Sequence, residues 1–236
     1  YDNVKDKLVL AKDVKEVLSW VQKGNADVGF VYLSDATGVD DVDVKTATEL
    51  GIPVVIAPGA NTRSVAEHTM AMILACAKDM VHCDKELRKG NFNIRSTYKA
   101  YEIYGKTLGL VGYGHIGSIL AEMATAMGMK VIVYDPFLKK EVVEAKGYKY
   151  ETDLDKVVKE ADVISVHSPL TPQTRGMIGE KQFALMKPNA IVVNCARGGI
   201  VDEKALAKAL AENRIHSAGA DVFATEPVTA AEPLFQ

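Results

Sequence analysis

The 236-residue chain reads as an α/β protein: a doubly wound parallel sheet preceded by a smaller, incomplete α/β unit. Three observations predict this. From Thr107 onward, short apolar runs alternate with amphipathic stretches. The apolar runs are near-continuous, which marks strands covered by helices on both faces. One strand-to-helix junction, "GLVGYGHIG", is a glycine-rich turn of the kind that seats phosphates.

Taken in order, "TLGLV" is a strand and "IGSILAEMATAMG" a helix stopped by Gly128 at a C-cap position. "KVIVY" is β-branched and strand-like, "DLDKVVKEA" is amphipathic, and "DVISVH" is again a strand. "EKQFALM" is a short helix, "AIVVN" a strand, "DEKALAKALAEN" a helix opened by Asp202, and "SAGADV" a last strand. Upstream, "NTRSVAEHTMAMILACAKDMVHC" predicts one long apolar helix over 63–83, with Ser64 and Glu67 at capping-box spacing. Its periodic positions are Val65, Ala66, Thr69, Met70, Ile73, Leu74, Ala77 and Val81. Such a helix either links two domains or fills a core. "LRKGNFNIRSTYKAYEIYGK" is weakly periodic and reads as an ordered loop. The first sixty residues hold at most three strands, too few for an independent domain. The expected division is therefore a partial substrate domain over 1–60 and a cofactor domain over 61–236.

Composition narrows the function classes. Hydrophobic residues make up 48% and charged residues 25%, ordinary for a protein with a buried core. A formal net charge of -3 points away from nucleic acid and from anionic membranes. Cys76, Cys83 and Cys195 are odd in number and lack CxxC spacing, so neither a disulfide framework nor a structural zinc site is expected. No apolar run is long enough to span a bilayer, and no signal peptide opens the chain, although it begins at Tyr1. A cytoplasmic enzyme is the expectation.

The glycine motif names the cofactor. Gly112, Gly114 and Gly117 form G-x-G-x-x-G after a strand and at the opening of a helix, the Rossmann-type arrangement. Gly112 permits the tight turn, Gly114 lets backbone approach a pyrophosphate, and Gly117 lets the helix pack on the strand. Asp135, eighteen residues after Gly117, ends "KVIVYD" where a carboxylate accepts ribose hydroxyls. Its charge repels the extra phosphate of NADP and no arginine follows nearby, so NAD is expected.

A second constellation, "NCARGGIVDEKAL", follows the strand "AIVVN" and puts Arg197 at a strand's carboxyl end. A guanidinium fork there suits bidentate capture of a carboxylate. Asp221 and Glu226 flank the end of the next strand.

Together "GLVGYGHIG…YDP", "VISVHSPLTPQTRGMI", "NCARGGIVDEKALAKAL" and "AGADVFATEP" resemble the D-isomer-specific 2-hydroxyacid dehydrogenases, the family that includes phosphoglycerate dehydrogenase. "TGVDDVDVKTATELGIPVVIAPGANTRSVAE" resembles it too, so the likeness runs from about Thr37 to Gln236. The resemblance implies reversible hydride transfer between NAD and C2 of a 2-hydroxy or 2-keto acid, with a homodimer as the usual assembly. It implies that Arg197 holds the substrate carboxylate and keto oxygen, that Glu226 orients a catalytic histidine, and that Asp221 binds the nicotinamide amide. His115 and Ile116 are then expected over the pyrophosphate, and Ser168 and Cys195 along the cofactor channel. Thr37, His167, Pro169 and Ala196 complete the expected cofactor contacts. No metal is expected.

Reducing a ketone requires an acid for the nascent alkoxide, and a histidine paired with a carboxylate supplies it near neutral pH. The resemblance places that histidine in a Pro-His pair soon after the segment ending at Gln236. His68, His82, His115, His167 and His216 all belong to other motifs, so the chain as given is expected to lack its proton donor.

Residues before about 37 fit less well. "LVLAKDVKEVLSWVQKGNADVGFVYLSDA" resembles the closing part of periplasmic molybdate-binding proteins. A chimera and a divergent natural front end to a flavodoxin-like unit both account for it. Three functional readings therefore stand: a dehydrogenase or part of one, a non-catalytic NAD-binding module, and an engineered fusion.

Overall fold

The computed structural model describes residues 59–98 and 100–235. The chain divides into two compact units, Tyr1–Ala60 and Asn61–Gln236. The expectations for the first sixty residues, Thr37 among them, fall almost wholly outside the described residues.

The second unit is built on a six-stranded parallel sheet in the order β3-β2-β1-β4-β5-β6. Its strands are β1 (Thr107–Val111), β2 (Lys130–Tyr134), β3 (Lys149–Tyr150), β4 (Val163–Val166), β5 (Ile191–Asn194) and β6 (Ser217–Ala220). The helices are α1 (Thr62–Ala77), α2 (Met80–Arg88), α3 (Ile94–Thr97), α4 (His115–Ala126), α5 (Lys140–Glu144), α6 (Leu154–Glu160), α7 (Glu180–Leu185) and α8 (Glu203–Ala211). A short 3-10 turn, Pro233–Phe235, packs against α8.

Strand period 2 divides the core between two faces. Leu108, Leu110, Val131, Val133, Val163, Ile191 and Val193 bury under α1 and α4. Val111, Ile132, Ile164, Val166 and Val192 face the other way, under α6, α7 and α8. Ala66, Met70, Ile73 and Ala77, at i, i+4, i+7 and i+11, put one stripe of α1 on the first face. Fully burying Ile73 alone contributes about 1.5–3 kcal/mol. At the amino end of the strands, buried Asp162 accepts from the Thr107 N–H (2.9 Å) and from Lys187 Nζ (2.9 Å), tying the start of β1 to the turn before β5.

The helix predicted over 63–83 is two helices. Asp79 takes a left-handed φ of 50°, which ends α1 and starts α2 on a new axis. Val81, expected on the buried stripe, is consequently 62% exposed. The predicted capping box is also not formed. The chain is already helical at Thr62, Asn61 is the cap residue, and Ser64 lies inside the first turn. The stretch read as a loop over 87–106 contains the end of α2 and the one-turn α3, whose Ile94 is buried. Helix α5 and the two-residue edge strand β3 had no strong periodic signal, being too short to show one.

Candidate functional site

The strands end in register. Val111 pairs with Tyr134 on one side and Val166 on the other, Val166 with Asn194, and Asn194 with Ala220. The next residues, Asp135, Gly112, His167, Cys195 and Asp221, therefore stand in one row along the carboxyl edge. Backbone bonds continue the ladder one step beyond it: Gly112 N–H donates to Tyr134 O (2.9 Å), His167 N–H to Val111 O (2.8 Å) and Asp221 N–H to Asn194 O (3.1 Å). Strand order reverses between β1 and β4, which opens a crevice above that point.

The glycine turn meets the three demands read from its spacing. Gly112 has φ +100°, and a Cβ there would lie 2.8 Å from the His167 carbonyl. A Cβ at Gly117 would lie 2.6 Å from Gly112 O, so α4 starts in contact with the turn. Above Gly114 there is open space. Gly114 caps α4 and no side chain caps its first amides, leaving the positive end of a twelve-residue helix, begun by His115 and Ile116, toward the crevice. Asp135 is tied to the same turn: its Oδ2 accepts from Tyr113 N–H (2.9 Å) and its Oδ1 from Phe137 N–H (3.0 Å).

His167 is half-buried, and desolvation of its ring pushes the imidazole down to about 4, so it is neutral near pH 7. Its Nε2 meets Ser165 Oγ at 2.8 Å, while its Nδ1 has no partner among the described residues. Ser168 Oγ donates to Val111 O (3.1 Å), and Pro169 O accepts from Thr174 Oγ1 (2.6 Å), which secures the loop after β4.

The β5 loop is held by Asn194, which sequence reasoning passed over. Its buried side chain accepts from Ala196 N–H (3.1 Å) and donates to Arg197 O (2.9 Å), clamping the three residues that follow the strand. Arg197 Nη1 donates to Ala196 O (2.8 Å). Gly198 lies directly against the β6 loop, where a Cβ would overlap the Phe223 carbonyl at 1.9 Å.

Asp221 pairs with His68 of α1, Nε2 to Oδ1 at 3.4 Å, and Cys195 Sγ lies 3.4 Å from Met72 Sδ. Burial pushes the Cys195 thiol above its ordinary value, partly opposed by a hydrogen bond with Thr69 and reinforced by the charge of Asp221. His68 and Met72 were missed because their helical period reports only burial, not which strand ends they cross. Glu226 is exposed, and its Oε1 accepts from Phe223 N–H (3.1 Å), so it caps the turn after β6. A separate cavity of about 450 Å³, lined by Arg175, Glu203, Lys204 and Glu232 among others, contains none of the expected cofactor residues.

Three features suit a dinucleotide: uncapped amides at the start of α4, an open cradle at Gly114, and an orphaned buried nitrogen on His167. Comparison with known proteins is decisive. Residues 70–236 match the family described as "D-isomer specific 2-hydroxyacid dehydrogenase, NAD binding domain". The chain belongs to this family and carries its NAD-binding domain.

Among its relatives, D-3-phosphoglycerate dehydrogenase of Methanocaldococcus jannaschii is 50% identical over 80% of this chain and 36% of the relative. Glyoxylate reductase of Korarchaeum cryptofilum is 41% identical over 85% of this chain and 61% of the relative. The solved D-lactate dehydrogenase of Aquifex aeolicus, in complex with NAD and lactic acid, superposes with a TM-score of 0.70 at 41% identity, covering 80% of this chain and 56% of that one. The chain thus spans only 36% of the phosphoglycerate dehydrogenase and 61% of the glyoxylate reductase. Residues 1–79 also match the family described as bacterial extracellular solute-binding protein, overlapping the dehydrogenase match at 70–79. Among the described residues no helix is long and apolar enough to cross a membrane.

Proposed function

We propose that the chain is the cofactor half of an NAD-dependent enzyme acting on a D-2-hydroxy acid or its 2-keto counterpart, of the phosphoglycerate dehydrogenase kind. The observation that carries this reading is the single row of Asp135, Gly112, His167, Cys195 and Asp221 at the carboxyl edge, with Arg197 two residues beyond Cys195. When bound, NAD supplies or accepts the hydride at C2 of the acid. The amides opening α4 hold the pyrophosphate, Asp135 accepts from the adenosine ribose, and Asp221 accepts from the nicotinamide amide. Arg197 fixes the substrate carboxylate and keto oxygen, orienting C2 toward the cofactor. His167, neutral and half-buried, serves as a cofactor contact rather than as the acid. The acid is a histidine outside residues 1–236, oriented by Glu226, and the unit Tyr1–Ala60 belongs to the substrate side.

Two observations support further parts of the reading. Met80, Val81 and Leu87 of α2 and the nearby Phe92 are more than half exposed, an apolar surface suited to a homodimer. Cys76, Cys83 and Cys195 are free thiols, as in a cytoplasmic protein.

Calorimetric titration of the chain with NAD and NADP tests the cofactor role; no binding of either overturns it. Assaying 2-keto acids with NADH in a chain extended through a Pro-His pair tests the enzyme. NAD binding without turnover there instead supports a non-catalytic module. A second reading, an engineered fusion, is favoured by the solute-binding match over 1–79. Amplifying the gene across codons 20–80 from source genomic DNA tests it, and one continuous product overturns it.

A further inference from the structure

We propose that His68, Cys195 and Asp221 form a binding site for a borderline-soft divalent cation such as Zn2+, placed so that metal and cofactor exclude each other. The imidazole, thiol and carboxylate come from three elements, and their ligand atoms all lie within 4.8 Å of one another. Asn194 and Ala220 are paired in register, which makes Cys195 and Asp221 neighbours on adjacent strand ends. Helix α1 crosses these two strands and lowers His68 onto them, already 3.4 Å from Asp221 Oδ1. Tetrahedral zinc with nitrogen, oxygen and sulfur ligands at about 2.0–2.3 Å needs ligand atoms roughly 3.4–3.7 Å apart. One pair satisfies this as it stands, and the remaining closure of roughly 1 Å is within reach of exposed His68 and Asp221 side chains. Three protein ligands leave the fourth position for water. The donor set of one thiolate, one imidazole and one carboxylate selects Zn2+ or Co2+ over Mg2+ or Ca2+. Binding displaces the Cys195 thiol proton, which burial otherwise retains.

No sequence motif announces this set, because its members are 127 and 26 residues apart along the chain. Mutual exclusion rests on the reading of Cys195 and Asp221 as cofactor contacts; metal binding does not. A metal here would act as a reversible block on the nicotinamide end of the site.

The test is a Co2+ titration of the whole 236-residue protein followed by absorption, with Zn2+ competition. Expected are one equivalent bound and a thiolate-to-cobalt charge-transfer band, removed by Cys195→Ser and retained in Cys76→Ser and Cys83→Ser. His68→Gln and Asp221→Asn are expected to weaken Co2+ binding at least about tenfold, as loss of one of three ligands requires. Circular dichroism checks that each variant is folded; His68 and Asp221 are exposed, so their variants keep the test open if Cys195→Ser is not. Failure to bind Co2+, or binding indifferent to His68→Gln and Asp221→Asn, overturns the site. Saturating NAD is expected to weaken Co2+ binding at least tenfold, and equal affinity overturns the exclusion. NAD titration in chelator, without metal, shows separately whether the cofactor reading has failed.

Discussion

Replacing Gly112 and Gly114 separately by alanine should divide stability from cofactor binding. At Gly112 the new methyl meets the His167 carbonyl at 2.8 Å and the backbone must hold φ +100°. An unfavourable φ costs about 1–3 kcal/mol and overpacking against fixed backbone another 1–3. Gly112→Ala should therefore lose about 2–6 kcal/mol, out of the 5–15 kcal/mol typical of a domain. That corresponds to a fall in Tm of roughly 4–24 °C for a chain of this size. At Gly114 the methyl meets nothing within 4 Å and φ is −81°, so the cost stays within about 1 kcal/mol, the value of a weaker helix cap. That same methyl fills the space a pyrophosphate needs, and NAD affinity should drop at least about tenfold, or 1.4 kcal/mol. Urea denaturation gives the stabilities and calorimetry the affinities. A Gly114→Ala protein as unstable as Gly112→Ala, or one that binds NAD like the parent, would refute the assignment of the turn.

The other expected outcomes are as follows. Asp135→Ala should weaken NAD and narrow its advantage over NADP, since the variant loses both the ribose acceptor and the bond from Tyr113; equal NAD affinity by titration contradicts this. Arg197→Lys in a full-length enzyme should preserve NAD affinity and lower kcat/KM, because a point charge replaces a fork; unchanged kinetics contradict it. The His167 imidazole has a folded value of about 4 against an ordinary 6.5, so below pH 6.5 the unfolded chain binds more protons than the folded one. Stability is full above pH 6.5 and is lost as pH falls from 6.5 to about 4, by about 3 kcal/mol in all. His167→Gln should flatten that part of the denaturation profile, and an unchanged slope argues against burial as the cause. Asp162→Ala should cost about 2–3 kcal/mol by orphaning Lys187 and the Thr107 N–H, yet leave NAD affinity alone, which paired denaturation and calorimetry will show.

Local signals made most of the sheet legible. The strands of β1, β2, β4, β5 and β6 are apolar runs bounded by turn residues, and each was placed to within two residues of its observed end. The glycine turn was equally legible, because its demands are steric and act over six residues. The failures were places where the decisive energy is not local. Asp79 breaks α1 from α2 although no proline or glycine stands there. Asn194 works by bonding two residues of its own loop, but one asparagine after a strand is too common a pattern to single out.

By itself the amino-acid sequence determined the fold class, the cofactor turn and the identity of the charged residues at strand ends, because strand period and glycine spacing are properties of short segments. Tertiary structure alone decided which ends share a row, and that α1 brings His68 to Asp221 and Met72 to Cys195. Those contacts join residues more than a hundred positions apart, and only the packing of α1 across β5 and β6 sets their distances.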